Sequence, residues 1–374
     1  MKRCNRCVTP ESYPGTSFNT DGVCNHCLNY QKEYKDWESG EAERKKYFER
    51  ILKSAKKRST TYDALVPLSG GKDSTYILYL ATKVFGLRVL SYTFDNGFQS
   101  DIAKENISAA IDASGSDHFV FKPNPTMLMN LYRHFLEHTG MFCPVCMRGI
   151  TAGSFFVARQ FNIPLVLSGT SKRTEERLVP EIFQDGEISF FRNVLKRHPF
   201  PGDVRVLFYD RTLMETMERI IFLLSKGQTL FGRTYVYVPD YFDWNYKKIY
   251  ETIGKEMGWK TTPDHDEHMD CIAEPIVHYF VRESRVPELT PSTLQYSAKI
   301  RVGQLSRNEA LEVVQREFAE RSVPHETTYF LKKLGISEDD LKKYMIDGHR
   351  HMEFQNQNIL RKAYSLLRSK GFVR

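Results

Sequence analysis

Three cysteines inside the chain, Cys143, Cys146 and Cys271, are the residues whose types and spacing point most directly to chemistry. Cys143 and Cys146 form a C-x-x-C pair in "FCPVCMRG", and Cys271 stands alone in "HMDCIAEP". Three thiolates can hold a 4Fe–4S cluster and leave one iron open, support a persulfide relay, or form a labile disulfide. They can also be three small buried residues. The start, "MKRCNRCVTP", lacks the apolar stretch of a signal peptide, and no apolar run approaches 18 residues. The expected compartment is therefore the cytosol, with no membrane partner, and reduced thiols make the disulfide the least expected outcome there.

The other four of the seven cysteines, Cys4, Cys7, Cys24 and Cys27, form C-x2-C-x16-C-x2-C. Two such knuckles supply four soft ligands for a tetrahedral ion, which predicts structural Zn2+. A short segment without its own core needs that staple.

"PLSGGKDST", Pro67 to Thr75, joins an expected strand to an expected helix. Gly70 and Gly71 let backbone N–H groups approach phosphate oxygens. The helix N-terminus adds partial positive charge and Lys72 a full one. Ser69, Ser74 and Thr75 add hydroxyl donors, and Asp73 is a candidate for positioning Mg2+. The loop is not a Walker A loop: Val66 and Asp73 stand where that pattern needs glycine and serine or threonine.

The loop resembles the PP-loop, S-G-G-x-D-S-S/T, at every fixed position. That resemblance implies an ATP pyrophosphatase, which cuts ATP between its α and β phosphates and passes AMP to an acceptor oxygen. A nitrogen or sulfur nucleophile then displaces AMP. On this reading Lys72 and Asp73 act in catalysis. Asp95, in "TFDNGF", and Gly169 and Thr170, directly after the fourth expected strand, lie near the nucleotide. "CPVCMRGI", followed by a helix and a strand ending "LSGT", is similar in order to the iron–sulfur tRNA thiolation enzymes of this superfamily. The similarity implies Cys143, Cys146 and Cys271 as cluster ligands with a sulfide donor, and makes tRNA one candidate acceptor. Those enzymes carry G-H-x-x-D-D after the strand, whereas this chain has "GTSKRTEE". A second resemblance covers nearly the whole chain. "CNRCVTPESYPGTSFNTDGVCNHC", "SGTSKRTEE", "YFDWNYKKIYETIGKEMGW" and "GQLSRNEALEVV" look like the N-acetyl sugar amidotransferases of surface-polysaccharide pathways. That family implies ammonia from a glutaminase partner, and the inner cysteine triad is not part of its pattern. Sulfur transfer is the leading expectation and amidotransfer the alternative. The acceptor is expected to be a small molecule or nucleotide-linked, and a homodimer is compatible with the sequence.

The elements that must position these residues follow from periodicity. "DALVPLS", "LRVLSYTFD", "DHFVFK" and "IPLVLSG" read as strands, separated by helical stretches, the fourth of them "GITAGSFFVARQFN". The expected fold is α/β: a Rossmann-like parallel sheet in a PP-loop domain over residues 61–205. A zinc ribbon over 1–30 and a basic helical linker over 31–60 precede it, and a mostly helical region over 206–374 follows. Within the linker, Tyr47, Phe48, Ile51, Leu52 and Ala55 mark an apolar stripe. Apolar content of 41%, charged content of 26% and a net charge of +7 over 374 residues are ordinary for a globular chain, and the charge suits phosphate-bearing or RNA ligands without choosing between them. Arg148 and Lys172 are further candidates for neutralising phosphates, with surface salt bridging as the plainer reading. Glu175 and the group His265, Asp266, His268 and Asp270 complete the polar candidates.

Overall fold

The computed structural model describes residues 2–35, 37, 39–170, 173, 188–210, 217, 233–261 and 270–350. Five strands form one sheet: β1 Ala64–Pro67, β2 Val89–Phe94, β3 Asp117–Phe121, β4 Leu165–Ser168 and β5 Thr234–Tyr237. Their order is β3-β2-β1-β4-β5 and every pairing is parallel. β1, β2 and β4 read as unbroken apolar runs because helices cover both faces. The chain leaves β1 toward one side and returns at β4 on the other, so the loops after β1 and β4 diverge around a crevice at their carboxyl ends.

Two cores flank the sheet. On one face lie α2 (Glu41–Arg58), α3 (Lys72–Tyr79), α4 (Asp101–Ser114) and α8 (Tyr246–Met257). Phe48, Ile51, Leu52 and Ala55 of α2 are buried there, as the linker's stripe indicates. Each large side chain among them contributes about 1.5–3 kcal/mol of burial. On the other face lie α5 (Pro125–Thr139), α6 (Cys143–Gln160) and α7 (Ile188–Arg197). Helices α9 (Ala273–Arg285), α10 (Thr293–Arg301), α11 (Arg307–Ala319), α12 (Thr327–Leu334) and α13 (Glu338–Arg350) form the C-terminal region. α1 (Asn25–Glu33) closes the N-terminal cysteine segment, with Cys24 as its N-cap.

Two elements differ from the periodicity reading. β5 lies beyond residue 205, within the stretch expected to be mostly helical. Its half-exposed TYVY pattern is too short to stand out from the aromatic residues around it. α6 begins at Cys143, six residues before the expected start at Gly149. Pro144 sits in the first turn, where its missing N–H costs no hydrogen bond. The helical reading of "RTLMETMERIIFLLSKG" and the tail beyond Arg350 lie outside the described residues. Among the described residues no helix is long and apolar enough to cross a membrane.

α6 rides unusually close to β2. A Cβ at Gly149 would lie 2.2 Å from the Phe94 ring, and one at Gly153 would lie 1.7 Å from the Tyr92 hydroxyl. Alanine gains about 0.5–1 kcal/mol of helix propensity over glycine. Overpacking a site whose rings are themselves buried costs about 1–3 kcal/mol, and that term wins here. Gly149→Ala is therefore expected to lower the urea midpoint. An unchanged midpoint would mean that α6 does not approach β2 this closely.

Candidate active site at the carboxyl edge of the sheet

The loop after β1 is held in shape by its own hydroxyls and by indoles from distant segments. The Ser74 hydroxyl accepts from Ser69 N at 3.2 Å and donates to Gly71 O at 3.1 Å. Gly71 N donates to Ser69 Oγ at 3.3 Å. Gly70 has φ +85°, and a Cβ there would lie 2.4 Å from Ala103 O, so both conformation and space require glycine. Its carbonyl accepts from Trp259 Nε1 at 2.9 Å and Asn106 Nδ2 at 3.4 Å. α3 starts at Lys72, which places the unpaired N–H groups of its first turn at the loop. Lys72 Nζ lies 3.4 Å from Asp73 Oδ2, and Asp73 Oδ1 accepts from Trp244 Nε1 at 2.6 Å. The Thr75 hydroxyl is buried without a hydrogen-bond partner. Bare backbone over Gly70 and Gly71, a half-buried lysine and a helix N-terminus together fit an oligophosphate.

The other expected nucleotide-side residues gather at this edge. A Cβ at Gly169 would lie 3.1 Å from Asp73 Cβ, so the loops after β1 and β4 touch. Thr170 shares a 3.2 Å hydroxyl hydrogen bond with Ser168. Asp95 ends β2. Its carboxylate accepts from Gly97 N at 2.9 Å and pairs with Lys122 Nζ at 3.2 Å, so it shapes the turn that follows.

That turn leads to the cysteines. Residues 98–100 pair with 270–272: Ile272 N donates to Phe98 O at 2.9 Å, and Ser100 N to Asp270 O at 3.2 Å. The pairing fixes Cys271 beside the exit of β2. Cys143 and Cys146 occupy the first turn of α6, three positions apart and so on one face. Asn96 joins the two groups, with Nδ2 3.5 Å from Cys146 Sγ and 3.6 Å from Cys271 Sγ. Its Oδ1 accepts from Phe98 N at 2.7 Å, which fixes the amide's orientation. The buried Tyr132 hydroxyl lies beside the Cys146 sulfur. Burial pushes its pKa well up, and proximity to Cys146, Cys271 and Cys143 adds to the effect. Burial likewise raises all three thiols, Cys146 to about 11, and the Glu274 carboxylate pushes the same way. All seven cysteines are free of disulfides. Two sulfurs on one amide donor, with a third cysteine one helical turn from Cys146, are a donor set of the kind that holds a cluster.

Triad and loop are contiguous. Asp270, next to Cys271, places its Oδ2 3.3 Å from where a Cβ on Gly71 would be. Sequence reasoning placed Asp270 with the polar residues flanking the cysteine, and His265, Asp266 and His268 lie outside the described residues. So do Lys172 and Glu175. Arg148 is neither on the surface nor at the phosphates. It is buried in α6, 3.3 Å from Asp210 Oδ2, and donates to Tyr209 O. Sequence reasoning missed Trp244, Trp259, Asn106 and Tyr132 altogether. Asn96 is the one partner that could have been found, since it lies in "TFDNGF" beside Asp95.

At the N-terminus, the thiols of Cys4, Cys7, Cys24 and Cys27 all lie within 4.8 Å of one another and are buried. No other group of three or more candidate ligands among the described residues is so close-set. Hydrogen bonds from Cys24, Cys27 and Cys7 hold the Cys4 thiol well below the usual range. Four sulfurs leave no open position, so the set suits a closed structural ion. The ribbon is fastened to the C-terminal helices: Arg307 Nε donates to Cys4 O and Cys7 O, both at 3.1 Å, and Thr9 Oγ1 donates to Ser297 Oγ at 3.0 Å.

Fold and loop define an α/β protein with a parallel sheet and a glycine-rich, PP-loop-like sequence after β1. Residues 289–368 match the family of C-terminal domains described as LPS biosynthesis protein WbpG-like. An uncharacterized protein of Methanocaldococcus jannaschii, MJ1599, is 25% identical over 168 residues, 45% of this chain. The match spans 58% of that relative's length. Among solved structures, the U34-tRNA thiolase NcsA from Methanococcus maripaludis with its 4Fe–4S cluster is 12% identical, with 86% of this chain and 90% of that chain covered and a TM-score of 0.26. NMN synthetase from Francisella tularensis is 15% identical, with 59% and 99% covered and the same TM-score of 0.26. Neither likeness bears on the chemistry at that score.

Arg307→Ala removes a bifurcated hydrogen bond from one charged N–H, worth about 1.5–3 kcal/mol in all. It is expected to lower the denaturation midpoint and to expose residues 1–30 to protease while metal content is retained. Unchanged proteolysis would show that the ribbon is held elsewhere.

Proposed function

We propose that the chain is an ATP-dependent sulfurtransferase. The observation that carries this reading is the meeting of Cys146 and Cys271 at the Asn96 amide, with Asp270, next to Cys271, beside Gly71 of the phosphate loop. The loop and Lys72 hold the β and γ phosphates, and the α3 N-terminus stabilises the charge that develops as pyrophosphate leaves. Asp73 and Asp270 are the carboxylates beside the loop that would carry Mg2+. An acceptor carbonyl oxygen attacks the α-phosphorus, the bond to the β-phosphate oxygen breaks, and the acceptor becomes an adenylate. Hydrosulfide from a sulfide donor then adds to that carbon, its proton is lost, and AMP departs with the oxygen. Cys143, Cys146 and Cys271 would hold a 4Fe–4S cluster, which would supply a Lewis-acid site to bind and activate that sulfide. The chain's own share is to hold the thiolates, to exclude water with Tyr132, Phe142 and Phe98, and to donate from Asn96 to two of the sulfurs. The N-terminal set would hold Zn2+ and take no part in the reaction.

A second reading is favoured by the match of residues 289–368 to a WbpG-like domain. There the same adenylate is displaced by ammonia from a glutaminase partner, and the acceptor is an N-acetyl sugar.

The two readings separate on purification without oxygen. Sulfur transfer expects about four irons and four sulfides per chain with broad absorption near 400 nm. It also expects their loss in Cys271→Ser with the N-terminal zinc retained. A colourless protein with zinc alone, unaffected by Cys271→Ser, overturns the cluster and leaves the ammonia reading. Both share the loop. Trp244→Phe frees Asp73 from its indole and is expected to slow pyrophosphate release about tenfold or more, as loss of a charge-assisted hydrogen bond does. An unaltered rate would remove Trp244 from the site.

A further inference from the structure

The C-terminal region does more than cover the sheet. A cleft of about 600 Å³ opens between the N-terminus of α8 and α10, lined by Tyr246, Lys247, Lys248, Tyr296, Lys299 and Gln304. Three lysines face a single lining carboxylate, Glu251. Lys299 Nζ lies 4.9 Å from the Tyr246 ring centre and 5.1 Å from that of Tyr296. Lys72 Nζ of the phosphate loop lies 5.3 Å from the same Tyr246 ring. One aromatic side chain therefore separates this cleft from the nucleotide loop. The wall is built rather than incidental. Tyr246 is 5% exposed; its hydroxyl accepts from Gln295 Nε2 at 3.2 Å, and its N–H donates to Gln304 Oε1 at 3.3 Å. Gln304 Nε2 donates to Trp244 O at 2.6 Å, and Trp244 reaches Asp73. Asn245 caps α8 by accepting from Lys248 N at 3.0 Å, so this end of the helix is fixed at the mouth of the cleft.

We propose that this cleft binds the phosphate-bearing part of the acceptor, so that the substrate is a phosphorylated small molecule whose reacting carbonyl extends past Tyr246 toward the loop. Compact ammonium groups match phosphate oxygens as point-charge partners, while the partly exposed Tyr296 gives the cleft an aromatic wall beside Lys299. The space exceeds what one phosphate fills and is of the size that holds a small ligand. The assignment rests on the adenylate-forming reading for the acceptor's role, while the binding site stands on the cleft alone.

The test uses inorganic pyrophosphate as probe and α,β-methylene ATP to fill the loop. Calorimetry on the protein saturated with the analogue is expected to show a further pyrophosphate site, one per chain. Lys299→Gln should weaken that site about tenfold or more, the scale of a lost charged contact, with analogue affinity held within about twofold. Lys247→Gln/Lys248→Gln, on exposed positions that do not threaten folding, should weaken it as well, and Lys83→Gln, in the helical turn Leu80–Val84 that follows α3, should not. Pyrophosphate that instead displaces the analogue one for one would assign the cleft to ATP's own phosphates and overturn the acceptor site. Absence of pyrophosphate binding, or binding indifferent to all the cleft variants, would also overturn it. Failure of the analogue to bind would sink the ATP reading, while titration of the unloaded protein with the same variants would still decide the cleft.

Discussion

Two backbone hydrogen bonds, between residues 98–100 and 270–272, decide what this molecule brings together. Without them Cys271 and Asp270 belong to a segment far along the chain from the sheet. With them, Cys271 stands within reach of the same amide as Cys146, and Asp270 stands over Gly71. A backbone pair is well suited to this task, since it fixes direction and register without occupying the side chains that do the chemistry. α6 meets this segment from the other side. Its approach to β2 through Gly149 and Gly153 brings its first turn, and so Cys143 and Cys146, down to the exit of β2.

The phosphate loop depends on a comparable arrangement from the C-terminal half. Trp244 and Trp259 lie on either end of α8, and each indole N–H reaches a different part of the loop, Asp73 and Gly70. α8 is thus a splint across the loop, and it packs along α3 with Ile249, Ile253 and Met257 buried. Indoles serve well here because each offers one donor on a rigid apolar body, so the loop is satisfied without admitting water.

The parts legible in the sequence are those whose chemistry requires fixed local spacing. A C-x-x-C pair, a glycine-rich turn after an apolar run and a capped helix are each contained within a dozen residues, and each can be read from the chain directly. Ser100 caps α4, as its position suggests, by accepting from Ala103 N. Four of the five strands show as apolar runs. β5 does not, because one edge of a sheet half-exposes its strand and dilutes the pattern. What supports the site was not legible. Trp244, Trp259 and Tyr132 look like core residues, and they are core residues; only their single polar atoms take part. Asn96 looks like a turn residue and is one, with its second polar atom spent on sulfur. Arg148 shows the opposite failure. A basic residue next to the cysteine pair suggests phosphate, yet the fold buries it with Asp210, since α6 turns that side away from the loop.

The attachment of the N-terminal ribbon also has a consequence for how the protein is made. Arg307 reaches Cys4 across 303 positions of chain, and Arg3 reaches Glu288 O across 285. Contacts of that separation close very large loops and form late, after local structure has formed. During synthesis the ribbon leaves the ribosome well before its docking surface. A small segment gathered around its own four cysteines keeps its shape while it waits for a partner surface not yet translated.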